Sequence, residues 1–240
     1  MEYYDRNNNK IIIPDEILEN YLNNGECGTI YQYNSDSCIK IYNQKYTETM
    51  HRLDVRIYQA LKEIDSPNLI DIRELYFKEK RQTHYNADAF ISKYYEEKYP
   101  DFLEVPTDYL LENVEGIISL SSKLSQKKIR LHDLKRENVI LADENIVFID
   151  PDMWYYSNLS YREIGNLNIN ALSSFFNRMV KESLKLNHQD LIRGSTLYFD
   201  QTVTNQLFPL TSSANRQIKT LTKKLRNFER PIDYIYSKKK

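Results

Sequence analysis

Apolar and polar residues alternate in short runs through the first part of the chain, which is the pattern of β-strands with one buried face. The runs at residues 28–34 and 36–43 are joined by the turn-forming Asn34-Ser35-Asp36, which predicts a hairpin. Two more strands are predicted at residues 69–77 and 88–94. Between the two pairs, apolar residues recur at helical spacing over residues 47–64, which predicts one helix.

The second part of the chain is predicted to be mainly helical, because apolar residues recur there at helical spacing. A helix is predicted from an N-cap at Thr107, and a short hairpin follows, with strands at residues 139–141 and 146–150. Beyond residue 164 the helical period dominates, notably over residues 169–185 and 213–228. The pattern therefore predicts an α+β protein in which a strand-rich portion precedes a helix-rich one, with the break near residues 95–106.

Composition adds limits to this picture. The 240 residues, 41% of them hydrophobic, are enough for one large domain or two small lobes that share an interface. No apolar run approaches the roughly 20 residues needed to span a bilayer, and the N-terminus has no apolar signal core. The only two cysteines, Cys27 and Cys38, do not make a disulfide framework. We therefore expect a cytoplasmic protein with reduced thiols and no membrane segment.

Charge is unevenly spread. The net charge is −1, but residues 216–240 carry 9 basic and 2 acidic side chains. This basic segment is a candidate docking surface for an acidic partner, and a solvated helix face is the more ordinary interpretation. Nucleic acid is a less favoured partner.

Two glycines and a lysine in the first hairpin are the first candidates for chemistry. Gly25 and Gly28 lie close together between predicted strands, where glycine allows backbone N–H groups to approach phosphate oxygens. The simpler alternative is a hairpin turn that needs positive φ. Lys40 lies between Ile39 and Ile41 in a strand, and an inward-facing lysine there needs an anion such as a phosphate. An outward-facing edge lysine is the alternative.

The stretch of residues 129–150 holds a polar cluster between apolar runs. Asp133 has the chemistry of a base that accepts a hydroxyl proton, and Lys135 that of a group that neutralises a phosphoryl group. Asn138 and Asp150 offer oxygen ligands of the kind that Mg²⁺ prefers. A polar loop before a hairpin would explain one acid but fits the ordered set poorly.

Together these motifs resemble the signature set of the protein kinase superfamily, which consists of a glycine-rich loop, a strand lysine, a catalytic loop and a metal motif. The order agrees, as do the separations of 93 residues from Lys40 to Asp133, five to Asn138 and 12 more to Asp150. The resemblance implies a two-lobed fold. Its N-lobe, residues 1–95, would hold an antiparallel sheet with one helix, and its C-lobe, residues 96–240, would be mainly helical. It also implies binding of ATP and Mg²⁺.

Individual roles follow from the resemblance. It implies Asp133 as catalytic base, Lys135 as the phosphate-stabilising lysine, and Asn138 and Asp150 as metal ligands. The residues that it implies around ATP are Gly25, Gly28, Ile30, Cys38, Lys40, Lys93, Tyr95 and Ile140. A helix acid would pair with Lys40, and Asp54 is the candidate because apolar residues follow it at helical spacing.

Several positions depart from the family pattern. Leu131 and His132 stand where histidine and arginine are usual, which argues against switching by a phosphorylated loop. Pro151 replaces the usual phenylalanine of the metal motif and fixes φ. Asp152 either adds a carboxylate near the metal or caps the next turn. The hydroxyls after it, from Tyr155 to Tyr161, are either autophosphorylation sites or packing residues.

Three functions remain open on this basis. The favoured one is a Ser/Thr protein kinase that transfers the γ-phosphoryl group of ATP to a hydroxyl. A small-molecule phosphotransferase of the aminoglycoside- or choline-kinase kind is favoured by the short C-terminal portion, and Lys135 argues against it. A pseudokinase, which would bind a nucleotide and a partner without catalysis, is favoured by the altered catalytic loop and Pro151.

Overall fold

The computed structural model describes residues 1–25, 27–43, 52–80, 85–96, 107–142 and 144–184. Within these residues lie eleven strands and three α-helices. The strands are β1 (Glu2–Tyr4), β2 (Lys10–Ile12), β3 (Tyr21–Asn24), β4 (Gly28–Asn34), β5 (Ser37–Tyr42), β6 (Ile72–Tyr76), β7 (Ala89–Lys93), β8 (Ile129–Arg130), β9 (Val139–Ala142), β10 (Asn145–Phe148) and β11 (Tyr155–Tyr156). The helices are α1 (Val55–Lys62), α2 (Thr107–Gln126) and α3 (Tyr161–Leu184).

A five-stranded sheet organises the first part of the chain. Its strand order is β3-β4-β5-β7-β6, and every neighbouring pair is antiparallel. The predicted hairpin is the β4–β5 pair, and the two later strand predictions correspond to β6 and β7. The prediction of an α+β protein with an antiparallel sheet is therefore confirmed, because alternating burial is a local property that short sequences carry.

An N-terminal hairpin covers one face of this sheet. Strands β1 and β2 pair with each other, and Tyr3 and Ile13 pack with Ile39 and Ile91 in a buried cluster on that face. The opposite face carries Lys40 and Phe90, which lie directly across from each other in the β5–β7 pair. Since side chains alternate between faces, covering one side of the sheet directs Lys40 to the other.

Helix α1 packs its apolar side into the main core and begins at Val55. Asp54 ends the preceding extended segment, with φ −67° and ψ 130°, and its side chain accepts a hydrogen bond from the backbone N–H of Arg56. Asp54 is therefore the N-cap, so the prediction that it lies within the helix is wrong. Residues 47–51, the predicted first turns, lie outside the described residues.

The predicted hairpin after α2 is the β9–β10 pair, and α3 covers most of the helix predicted over residues 169–185. Other predictions fall mostly or wholly outside the described residues, namely the break near residues 95–106, of which 97–106 are not described, the helix at 213–228 and the basic segment 216–240. No helix in the described part of the chain combines the length and apolar character required to cross a membrane.

Two buried asparagines join α2 to the segment that follows α1. Asn68 donates its amide hydrogens to Asn113 Oδ1 (2.8 Å) and to the Ile146 carbonyl (3.0 Å). Asn113 Oδ1 also accepts from the backbone N–H of Ile146 (2.7 Å), and its Nδ2 donates to the Glu144 carbonyl (3.0 Å). Burial in low dielectric makes such a network costly to break.

Replacing Asn113 with alanine should lower the free energy of unfolding by about 2–3 kcal/mol, because buried polar groups at Asn68 and Ile146 lose their partner. Denaturant titration measures this change. The matched control is Ser119→Ala on the same helix, an exposed position where the change should stay within about 0.5 kcal/mol. Equal effects of both variants would contradict the assigned role of Asn113.

Candidate functional site

Lys40 lies at the centre of a buried charge cluster. Its side chain is only 8% exposed, and its ammonium contacts Asp150 Oδ1 at 2.9 Å and Asp152 Oδ2 at 2.6 Å. Burial would lower the pKa of Lys40, but Asp152 and Asp150 raise it above its usual value, so the ammonium stays charged. The sequence-based interpretation of Lys40 as an inward-facing lysine that needs an anion is confirmed, and both anions belong to the segment Asp150-Pro151-Asp152.

Tyr42 supports the same cluster from the same strand. It follows Lys40 by two residues, and its hydroxyl donates to Asp152 Oδ1 at 2.5 Å. The hydroxyl oxygen accepts a hydrogen bond from the backbone N–H of Leu53 at 3.0 Å. Burial raises the pKa of the Asp152 carboxyl to about 7, against the opposing effect of Lys40 and Tyr42. Tyr42 was not among the residues singled out from the sequence.

Two expectations about acids need correction here. Lys40 pairs with Asp150 and Asp152, whereas Asp54 accepts hydrogen bonds from the Arg56 guanidinium through both carboxylate oxygens. The prediction of an Asp54–Lys40 ion pair is wrong, because the N-cap position directs Asp54 back over its own helix. Asp152 lies within the 3-10 turn Pro151–Met153, and its two carboxylate oxygens accept hydrogen bonds from Lys40 and Tyr42, so the interpretation that it only caps a turn is also wrong.

The loop between β8 and β9 holds the other predicted residues together. Asn138 donates its amide hydrogens to the Asp133 carbonyl (2.8 Å) and to Asp133 Oδ2 (3.2 Å), while Lys135 Nζ lies 2.9 Å from the same Oδ2. The hydrogen bond to Asp133 raises the pKa of Lys135. Asp133 has φ 52°, a left-handed conformation that aspartate tolerates better than most residues. These contacts hold that loop conformation in place.

A backbone hydrogen bond joins this loop to the charge cluster. The N–H of Ile149 donates to the Asn138 carbonyl at 3.0 Å, which places Asn138 next to the strand end that carries Asp150. Asp133, Lys135, Asn138, Asp150 and Lys40 are thus connected through short contacts, although Lys40 and Asp150 are 110 residues apart in sequence. The predicted cluster is brought together by the fold.

The donor set at this position fits Mg²⁺. Both described hydrogen bonds of the Asn138 side chain use its nitrogen, which leaves the amide oxygen as an acceptor. The Asp150 side chain is 30% exposed and offers carboxylate oxygens. Mg²⁺ commonly takes only one or two protein oxygens together with substrate phosphates and water. No group of three or more His, Cys, Asp or Glu side chains suited to a metal occurs in the described ranges.

Asn168 on α3 anchors the same loop and was missed from the sequence. It is fully buried, its Oδ1 accepts from the backbone N–H of Leu131 (2.8 Å), and its Nδ2 donates to the Ile129 carbonyl (3.0 Å). A signal was present, because Asn168 lies at helical spacing among the buried Ile164, Leu172 and Phe175. A polar residue in an apolar stripe indicates a specific buried partner.

The two glycines differ in what they do. Gly28 is the first residue of β4, where an added Cβ would lie 2.6 Å from the Ile41 carbonyl oxygen, so only glycine allows this approach of β4 to β5. The Gly25 N–H donates to the Gly28 carbonyl at 2.9 Å. No glycine in the described residues has positive φ, so the alternative of a turn that needs it is wrong.

Replacing Gly28 with alanine should lower the free energy of unfolding by about 1–3 kcal/mol, because the backbone of β5 must move to admit the new methyl group. The matched control is Gly25→Ala, where the nearest atom to the added Cβ lies at 3.4 Å and little change is expected. Thermal or denaturant unfolding measures both. If Gly28→Ala were as stable as wild type, the close approach of the β5 backbone to Gly28 would be contradicted.

Two further predicted residues, Ile30 and Cys38, lie on the Lys40 face of the sheet. Ile30 is directly opposite Lys40 in the β4–β5 pair, and Cys38 precedes Lys40 by two residues on the same face. The Cys38 thiol lies 3.3 Å from Ser92 Oγ and 3.8 Å from the Lys93 carbonyl, and burial raises its pKa. This arrangement brings the predicted ATP-contacting residues of β4 and β5 to one face, with Ser92 of β7 beside them.

Lys93 and Tyr95 form the end of β7 and the segment after it. The Lys93 N–H donates to the Asp71 carbonyl, and its ammonium lies 4.8 Å from the Tyr95 ring centroid. Ile140 lies on β9, opposite Val147. No contact described for these three residues tests whether they bind a nucleotide, so that role stays a prediction.

Residues that depart from the family pattern have clear structural positions. Leu131 is buried, and the exposed His132 has its ring 6.0 Å from that of Tyr155. Pro151 is buried and begins a 3-10 turn, for which its restricted φ is suited. Tyr155 and Tyr156 form β11 and remain partly exposed.

Comparison with known proteins adds no family assignment. No model of a known protein family matches the chain, and a search of curated proteins finds no match.

Proposed function

We propose that the chain is an ATP- and Mg²⁺-dependent phosphotransferase with a two-lobed protein kinase-like fold, acting on Ser or Thr hydroxyls of proteins. The observation that carries the proposal is the meeting of Lys40 from β5 with Asp150 from the end of β10, next to a loop that bears Asp133, Lys135 and Asn138. The five-stranded antiparallel sheet in the first part of the chain, followed by helices α2 and α3, supports this fold.

Two lysines supply the positive charge that phosphoryl transfer requires. Lys40 is buried and charged, which suits it to hold phosphate oxygens of ATP, and Ile30 and Cys38 on its face are suited to the adjacent base. Lys135 is 44% exposed beside Asp133, which suits it to neutralise the group in transfer. In such reactions positioning and charge stabilisation supply most of the rate enhancement.

Asp133 would accept the proton of the acceptor hydroxyl. Its carboxylate is about one third exposed and is held by Lys135 and Asn138, so it is accessible yet oriented. Asn138 and Asp150 would hold Mg²⁺, which when bound neutralises charge on the phosphates.

We further propose a cytoplasmic location, which is supported by the fact that Cys27 and Cys38 are not joined in a disulfide bond. The acceptor is a protein hydroxyl in the favoured form of the proposal. Lys135 beside Asp133 supports that form over a small-molecule phosphotransferase.

The test is transfer of label from γ-labelled ATP, with Mg²⁺ or with EDTA, to the protein itself, to a general Ser/Thr protein substrate and to a panel of aminoglycosides and choline. We expect Mg²⁺-dependent label on protein. Label on a small molecule alone would overturn the protein-kinase assignment. No transfer to any acceptor would overturn phosphotransferase activity and leave a pseudokinase.

A further inference from the structure

The Lys40 ammonium has two carboxylate partners that differ sharply in environment. The Asp152 side chain is 2% exposed and lies 2.6 Å from Lys40 Nζ, whereas the Asp150 side chain is 30% exposed and lies 2.9 Å away. A carboxylate that reaches solvent can turn toward a cation at small cost, but a buried one cannot leave an ammonium without a large desolvation penalty. The two acids are therefore suited to different tasks.

Tyr42 holds the buried acid in place. Its hydroxyl donates to Asp152 Oδ1 while Lys40 occupies Oδ2, so both carboxylate oxygens have a partner. The hydroxyl is itself oriented by the N–H of Leu53. Because Tyr42 and Lys40 lie two residues apart on one strand, the strand and the metal motif form a single hydrogen-bonded unit.

Helix α1 contributes no acid to this unit. Asp54 caps the helix and pairs with Arg56, and Glu63 at its other end pairs with Lys127. Both described ion pairs of Lys40 go to residues that follow β10. The positioning of Lys40 is thus built from the sheet and the metal motif.

We propose that Asp152 is the positioning residue for Lys40, taking the place expected for a helix acid, and that it leaves Asp150 to the cation. This inference rests on the proposed function, in which Lys40 contacts phosphate. Its consequence is that the lysine–acid pair is assembled without α1, so movement of that helix does not switch the site on or off.

The experiment is calorimetric titration of the full chain with ATP, once with Mg²⁺ and once with EDTA. Asp152→Asn keeps the side-chain shape and removes the charge, and it should weaken ATP binding by about tenfold in both conditions. Tyr42→Phe, which removes only the hydroxyl, should weaken binding in both conditions by a smaller factor. Asp150→Asn should instead remove the difference between Mg²⁺ and EDTA.

The matched control is Asp54→Asn, since asparagine caps a helix as well as aspartate does, and its ATP affinity should stay within about twofold of wild type. Wild-type affinity for Asp152→Asn would overturn the inference. So would a loss confined to the Mg²⁺ condition, because that result would make Asp152 a metal ligand. A tenfold loss of ATP affinity for Asp54→Asn would indicate that Asp54 positions Lys40 after all, and it would also overturn the inference.

A second measurement separates this inference from the proposed function. If wild type binds no ATP, the proposed function fails, and the pair is then judged by the unfolding midpoints of Lys40→Met, Asp152→Asn and the double variant. A double variant that loses clearly less than the sum of the single losses supports the Lys40–Asp152 pair. Additive losses would overturn it.

Discussion

Replacing Asp133 with asparagine should lower the rate of phosphoryl transfer by about 10²–10⁴-fold, because asparagine keeps the shape of the side chain but cannot accept a hydroxyl proton. ATP binding and stability should change little, since Asp133 is partly exposed and its ion pair with Lys135 is screened by solvent. Initial rates of label transfer from ATP measure the effect, and calorimetry with ATP confirms that the nucleotide still binds.

The control for this variant is Glu137→Gln, which removes an exposed carboxylate four residues along the same loop. Its rate should stay close to wild type. A wild-type rate for Asp133→Asn would exclude Asp133 as the base. Equal losses for both variants would mean that the net charge of the loop matters and the position of the carboxylate does not.

Replacing Lys40 with methionine should lower the free energy of unfolding by about 3–5 kcal/mol, because Asp152 would remain buried without its ammonium partner. ATP binding should be lost as well, since no other described side chain brings a buried cation to this face of the sheet. Denaturant titration measures the stability, and calorimetry at a temperature where the variant stays folded measures the affinity.

The control is Lys10→Met, which removes an exposed lysine from an exposed pair with Glu2 on the N-terminal hairpin. Its stability should remain near wild type, because a solvated pair contributes little. If Lys40→Met were as stable as Lys10→Met, Asp152 would have to be neutral or hydrated in the folded protein, and the buried ion pair would be contradicted.

Much of the local structure follows from the sequence, because it depends on neighbouring residues. Alternation predicted the β4–β5 hairpin and strands β6 and β7, and helical spacing predicted α2 and much of α3. The set of Lys40, Asp133, Asn138 and Asp150 was also singled out from the sequence, by residue chemistry and by resemblance to the kinase motifs, and the fold connects these residues through short contacts.

The choice of partners depended on contacts between residues far apart in the chain. Spacing along one helix made Asp54 the candidate for Lys40, but capping geometry keeps Asp54 over α1 while the chain returns after 112 residues to bring Asp152 to the ammonium. Asn168 likewise acquires its role only when α3 packs on the loop at Leu131. Periodicity indicates which face of a helix or strand is buried. The partner that a buried side chain contacts is set by how elements distant in sequence pack together.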